Sequence, residues 1–245
     1  MIGIVKRLVF GLLPDEKKWQ LKNKYAIPSM EWSLLNMKRN GFAPISIVDI
    51  GAYEGSWTKM IKQIFPQAAV LMLEAQKNKA EALKAICQKY SPTVQVDIGL
   101  IGPENKAETA FFENETVSSA LPEHYATAAK KVFVPMHTLD TILEKQDFPA
   151  PTLIKLDVQG YELEVLKGAQ KALSTVEAVL MEVSLIDINK GAPLFHEVIA
   201  FMHANGFITY DICSFVRRPL DKALWQVDVI FVKDQLQLAS NKRYS

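Results

Sequence analysis

Five carboxylates stand where apolar runs meet a turn: Asp49 two residues before Gly51, Glu74 closing the run 69–73, Asp157 before Gly160, Glu162 just past it, and Glu182 inside the run 176–183. Side chains of this type accept hydrogen bonds from sugar hydroxyls, hold a cation, or take a proton. The stretch 45–57 is the most telling, because four apolar residues around Ser46 stop at Gly51 and a helical pattern begins at Trp57. A buried strand, a tight turn and a helix start in that order form the ligand-binding corner of an open α/β sheet.

A dinucleotide turn needs G-x-G-x-x-G, whereas this chain has G-x-x-x-G from Gly51 to Gly55 with acidic Glu54 between them. A diphosphate is poorly served there. A nucleoside without phosphates and with a positive charge fits better, which favours S-adenosylmethionine over NAD. Glu74 lies at the distance of about 20 to 25 residues past the turn at which a carboxylate accepts from a ribose diol. Ser56 is expected to cap the helix after the turn. The expected cofactor wall is Asp49, Gly51, Ala52, Gly55, Ser56, Glu74, Ala75 and Ile98. Asp49 either positions the turn or a ligand ammonium, or bonds turn amides in a purely structural role.

Asp157 ends a second strand-and-turn unit, 152–169, and is expected beside Gly51, as general base or as the group that orients an acceptor hydroxyl. The rival reading makes it a cap for the helix near Tyr161. Glu162 and Glu182 are the further catalytic candidates. A divalent cation on Asp157, Glu162 and Glu182 is ranked below a metal-free site. On the acceptor side the candidates are Ser118 and Ser119, in the irregular stretch 113–129, and Arg217 and Arg218, on a loop expected over 214–226 with Phe215 and Trp225.

The elements that must position these residues alternate. Strands are expected near 69–73, 93–98, 109–112, 132–136, 152–157, 176–183, 207–212 and 227–232, and helices near 29–41, 57–66, 77–90, 138–145, 161–169 and 193–205. This order implies an α/β fold with a mostly parallel sheet and an antiparallel final pair. Residues 1–14 form an amphipathic pattern, read as a helix packed on the domain or a second subunit, or alternatively as a peripheral membrane contact. The expected division is a helical extension over 1–40, one catalytic domain over 41–235 and a tail over 236–245.

Net charge is +1 over 245 residues with no basic cluster, which argues against a nucleic-acid partner. Two cysteines, Cys87 and Cys213, rule out a disulfide framework, so a reducing cytoplasm is expected. A hydrophobic content of 49% is ample for a full core, and no run reaches the length of a membrane span.

With both units read, the chain resembles the FkbM family of S-adenosylmethionine-dependent methyltransferases. The likeness is carried by Val48-Asp49-Ile50-Gly51-Ala52 with Gly55 and Thr58, by Leu73-Glu74, by Thr138-Leu139-Asp140, by the run from Ile154 to Glu162, by Val165-Leu166-Lys167-Gly168-Ala169, and by Asp228 with Ile230-Phe231-Val232. It spans 47–233. The chain departs from the family at Tyr53, usually Asn, at Ala75, usually Pro, and at Gln159, usually Glu, which removes one carboxylate. The resemblance implies a Rossmann-like class I methyltransferase fold, seven strands with the last inserted antiparallel, and methyl transfer to a hydroxyl of a sugar, glycan or small natural product. The alternative is a binding or scaffold protein that keeps the fold without the chemistry and is recruited through residues 1–14. Acceptor and oligomeric state, including a homo-oligomer, are left open by the sequence.

Overall fold

A computed structural model describes residues 28–124 and 129–240, with positions 13, 14, 17, 20, 21 and 24 before them. The amphipathic pattern at 1–14 falls almost wholly outside these residues.

Seven strands make one sheet: β1 (Ser46–Ile50), β2 (Ala69–Glu74), β3 (Val94–Ile98), β7 (Leu153–Leu156), β8 (Ala178–Ser184), β9 (Phe207–Arg217) and β10 (Leu224–Lys233). Their spatial order is β3-β2-β1-β7-β8-β10-β9. The first five pair in parallel, and β10 runs antiparallel between β8 and β9. This is the expected class I arrangement, with the last strand inserted against the rest.

Each central strand is apolar on both faces because helices cover both. Val48, Leu71, Ile154 and Val179 enter one core, and Ile47, Val70, Leu153 and Leu180 enter the other. The second core is closed by α1 (Met30–Arg39), α2 (Ser56–Ile64) and α3 (Ala80–Lys89). Period-two alternation then carries Asp49 and Lys155 onto this second face at the carboxyl ends of β1 and β7, directly paired in register.

The remaining strands, β4 (Leu100–Ile101), β5 (Lys106–Glu113) and β6 (Lys130–His137), form a separate three-stranded sheet ordered β4-β6-β5. Strand patterns at 109–112 and 132–136 were legible, but not their separation from the main sheet. Its core of Leu100, Phe111, Val134 and Met136 packs on Ala75 and Tyr161, above the carboxyl ends of the main strands.

The helices α4 (Leu139–Lys145), α5 (Glu162–Lys167), α6 (Gln170–Thr175) and α7 (Phe195–Ala204) complete the layers. Thr138 caps α4, its side chain accepting from Thr141 N–H. Asp140 reaches across to α6, where its carboxylate accepts from Lys171 N at 2.9 Å and Ala172 N at 3.0 Å.

Two expectations are corrected here. Ser56 does not cap α2: it is the first helical residue, and the cap position belongs to Gly55 at φ +69. The loop expected over 214–226 is mostly strand, since β9 runs to Arg217 and β10 starts at Leu224. A connection of only 218–223 remains, because cross-strand pairing extends the hairpin past the edge of the sheet.

Candidate active site

The cleft opens at the carboxyl ends of β1, β2 and β7 and is lined by Gly51, Tyr53, Glu74, Leu100, Phe111, Asp157 and Gln159, among others. Its floor is made by close contact of two strand ends. A Cβ at Gly51, whose φ is +76, would stand 1.9 Å from the Asp157 carbonyl oxygen, so no other residue fits there. The amides of Gly51 and Ala52 both donate to the Leu73 carbonyl, at 2.9 and 3.1 Å.

Glu74 is buried to 5% exposure and still lines the cleft. Its two oxygens accept from Tyr53 N at 2.7 Å and Gln76 N at 2.8 Å, which leaves one lone pair on each. Burial pushes the Glu74 carboxyl up, against the pull of those two amides.

Beneath the turn lies Lys155, a residue of the run 154–162 that is absent from the candidate site residues above. Its Nζ donates to the Gly51 carbonyl at 2.9 Å and stands 3.1 Å from Asp49 Oδ1 and 3.6 Å from Asp157 Oδ2. Burial works to lower this ammonium, but the charges of Asp49 and Asp157 overcome it and hold Lys155 above its usual value. Asp49 is fully buried and accepts from Thr58 Oγ1 at 2.7 Å, so it ties α2 and Lys155 to the turn from below. A lone lysine inside an otherwise apolar strand was the available signal, since a buried cation requires an anion nearby.

Asp157 is the carboxylate that faces out, with 43% of its side chain exposed at the cleft. It does not cap the following helix, whose cap position is Tyr161 with no side-chain bond. Instead Gln159 Nε2 donates to Asp157 Oδ1 at 2.9 Å and to Glu182 Oε1 at 3.0 Å. Glu162 points away from the cleft. It is 3% exposed, and its Oε1 accepts from Val158 N and Gly160 N, both at 3.1 Å, bracing a turn in which Gln159 and Gly160 have φ of +54 and +94. Burial raises the Glu162 carboxyl to about 7. Glu182 is pushed up to about 9, first by burial and then by the charge of Asp157. Glu162 is thus turned under the loop while Asp157 and Glu182 share the Gln159 amide, and among the described residues no group of three or more His, Cys, Asp or Glu is placed to hold a metal ion.

The other predicted residues divide. Ala75 and Ser118 line the cleft. Ser119 is buried beside it, and its hydroxyl donates to the Gln159 carbonyl at 2.8 Å and accepts from Leu121 N at 3.1 Å. Gly55 turns to the protein interior, where a Cβ would meet Ile86 Cδ1 at 2.2 Å. Ala52 and Ile98 pack into the core on the helix side, and Ser56 is exposed. The wall position expected of Ile98 is taken by Gly99 and Leu100, just past the strand end. Arg217 and Arg218 are engaged at the hairpin tip, by the Lys222 carbonyl at 2.9 Å and by both oxygens of Asp221. Tyr53, at φ +49, joins the turn to the segment above it through Glu115 Oε2 at 3.3 Å, with Lys79 Nζ 3.9 Å from its ring centre.

The model of the Methyltransferase FkbM domain matches residues 49–209, about two thirds of the chain and both halves of the cleft. The chain belongs to the FkbM methyltransferase family. A 44-residue stretch is 46% identical to the hexuronic acid methyltransferase AglP of Haloferax volcanii, covering 18% of this chain and 18% of that protein. Among solved structures, one from Klebsiella pneumoniae, of a protein proposed to be an O-methyltransferase, matches with a TM-score of 0.51 at 14% identity, over 94% of this chain and 96% of that one. A precorrin-6y C5,15-methyltransferase from Geobacter metallireducens matches with a TM-score of 0.46 at 11% identity, over 82% and 86%. At 14% identity the Klebsiella pneumoniae match speaks to fold alone, and that fold is the seven-stranded α/β arrangement described above. FkbM methyltransferases, as a family, take S-adenosylmethionine as methyl donor. The donor set in the cleft suits it, because two carboxylates and an apolar wall of Leu100 and Phe111 fit a cationic ligand with an aromatic base.

Proposed function

We propose that this FkbM protein methylates a hydroxyl group on a sugar or glycan, with Asp157 as general base and Glu74 as the acceptor of the ribose hydroxyls. The observation that carries the proposal is the outward carboxylate of Asp157, anchored from behind by Lys155 at 3.6 Å and set against Gly51 at the cleft floor. When bound, S-adenosylmethionine supplies an electrophilic methyl group on a sulfonium. As the acceptor oxygen bonds to the methyl carbon and the carbon–sulfur bond breaks, the hydroxyl proton passes to Asp157 and from there to solvent.

The local likeness to a hexuronic acid methyltransferase supports a sugar acceptor. The charge of this cleft favours a neutral one. Asp157 and Glu74 line it, and Lys155, the cation behind Asp157, is already held by the Gly51 carbonyl and two carboxylates. Hydroxyl donors match carboxylate acceptors, whereas an acceptor carboxylate would meet like charge. Methyl-labelled S-adenosylmethionine offered with a panel of neutral hexosides and their uronic acids tests the reading. Label on a neutral sugar oxygen is expected. Label on a carboxylate, on nitrogen, or on no sugar would overturn it.

A further inference from the structure

We propose that Gln159 is a positioning residue, whose single amide nitrogen bridges the Asp157 and Glu182 carboxylates and thereby aims Asp157 at the cleft as the proton acceptor. The proposal rests on the reading of Asp157 as base. Both hydrogens of Gln159 Nε2 are used, at 2.9 Å to Asp157 Oδ1 and 3.0 Å to Glu182 Oε1. The same Glu182 oxygen also accepts from Gln226 Nε2 at 2.8 Å, which fixes the far end of the bridge to β10.

The backbone of Gln159 is held in a conformation it would not choose. Its φ of +54 is costly for any residue but glycine, and such strain persists only where neighbours impose it. Here the neighbours are identifiable. Ser119 Oγ and Asn189 Nδ2 both donate to the Gln159 carbonyl, at 2.8 and 2.5 Å, while Glu162 grips the amides on either side. Three side chains from three segments thus hold the backbone that places one uncharged amide between Asp157 and Glu182.

An amide suits this position for a chemical reason. Two carboxylates this close are brought together either by sharing a proton, by binding a cation, or by a common donor. A shared proton would occupy the base that must accept one. A neutral N–H donor occupies Asp157 Oδ1 without bringing a proton to share, while Oδ2 stands 3.6 Å from Lys155 Nζ.

The groups facing Asp157 are Lys155 on its own strand, Asp49 from β1, Glu182 from β8, Asp228 from β10 and Glu162 from α5. Lys155 is the cation among them, 3.6 Å from Asp157 Oδ2, and the Gln159 amide adds the donor to Oδ1. Without that amide the carboxylate is held by Lys155 alone and is free to turn away from the cleft.

Steady-state kinetics with the sugar found in the labelling panel, read as kcat against KM, test the bridge. In Gln159→Leu kcat is expected to fall at least about tenfold with KM and melting temperature held, the signature of a misaimed base rather than of lost binding. Gln159→Glu keeps the shape but replaces the donor with an acceptor, and should lower kcat likewise. An unchanged kcat in whichever variant folds would overturn the bridge. The base reading fails separately, if Asp157→Asn keeps its turnover on the sugar found in the labelling panel.

Discussion

Asp157 and Glu162 stand five residues apart on one motif and do opposite things. One side chain is out in the cleft, and the other is folded under the turn against two amides. Asp157→Asn keeps shape and the Gln159 contact region while removing the proton acceptor. Turnover on the labelled acceptor is expected to fall about 10²- to 10⁴-fold with cofactor affinity and melting temperature held. Near-normal turnover would transfer the role to another group. Glu74 has a different duty, since its carboxylate already orders Tyr53 and Gln76 through their amides. Glu74→Ala should weaken S-adenosylmethionine binding by about 1 to 3 kcal/mol, measured by calorimetry. Unchanged affinity would remove Glu74 from the cofactor site.

Elements meet here through glycines whose missing side chains face backbone. At Gly51 the end of β1 touches the Asp157 carbonyl, and at Gly168, between α5 and α6, a Cβ would stand 2.1 Å from the Gly102 carbonyl of the small sheet. Backbone cannot swing aside as a side chain can. Gly51→Ala therefore combines an unfavourable φ with a collision between β1 and β7, and should both lower the melting temperature and abolish measurable cofactor binding. A variant that binds S-adenosylmethionine normally would show that the two strand ends separate freely. Gly51 and Gly55 looked alike in sequence as places where backbone nears a ligand. Only Gly51 lines the cleft, while Gly55 makes room for Ile86 of α3.

Across the whole molecule, the carboxyl edge of the sheet gathers buried acids from three strands and a helix, and this leaves a pH signature. Glu162 is raised to about 7 and Glu182 to about 9 from an ordinary 4.5. The folded state therefore holds protons that the unfolded chain releases above about 4.5. The stability these groups contribute is full below that value and is lost as pH rises through 7 and then 9. Melting temperature should fall between pH 6 and pH 9, and Glu182→Gln, uncharged throughout, should flatten that fall. An identical slope in the variant would mean that Glu182 is ionised in the fold at neutral pH.

The alternation of apolar runs with helical patterns was enough to read a mostly parallel sheet with an antiparallel final pair, because strands buried on both faces are continuous apolar runs; the insertion of the last strand followed only from the family resemblance. Local signals likewise marked Gly51, Glu74 and Asp157 as cleft residues, since strand ends that bind ligands stop in a turn. What folding alone decided is where each polar side chain points. Lys155 and Asp49 lie 106 residues apart in the chain, as Ser46 and Thr152 do, and the register of β1 against β7 brings both pairs together. Ile98 ends β3 with its side chain against the core, whereas Gly99, just past the strand end, lines the cleft. The bridge from Gln159 to Asp157 and Glu182 needs β7 beside β8, and the small sheet that roofs the cleft needs β4 to leave β3 at Gly99. These are contacts between segments distant in the chain, formed by packing free energy summed over both cores, and no local spacing encodes them.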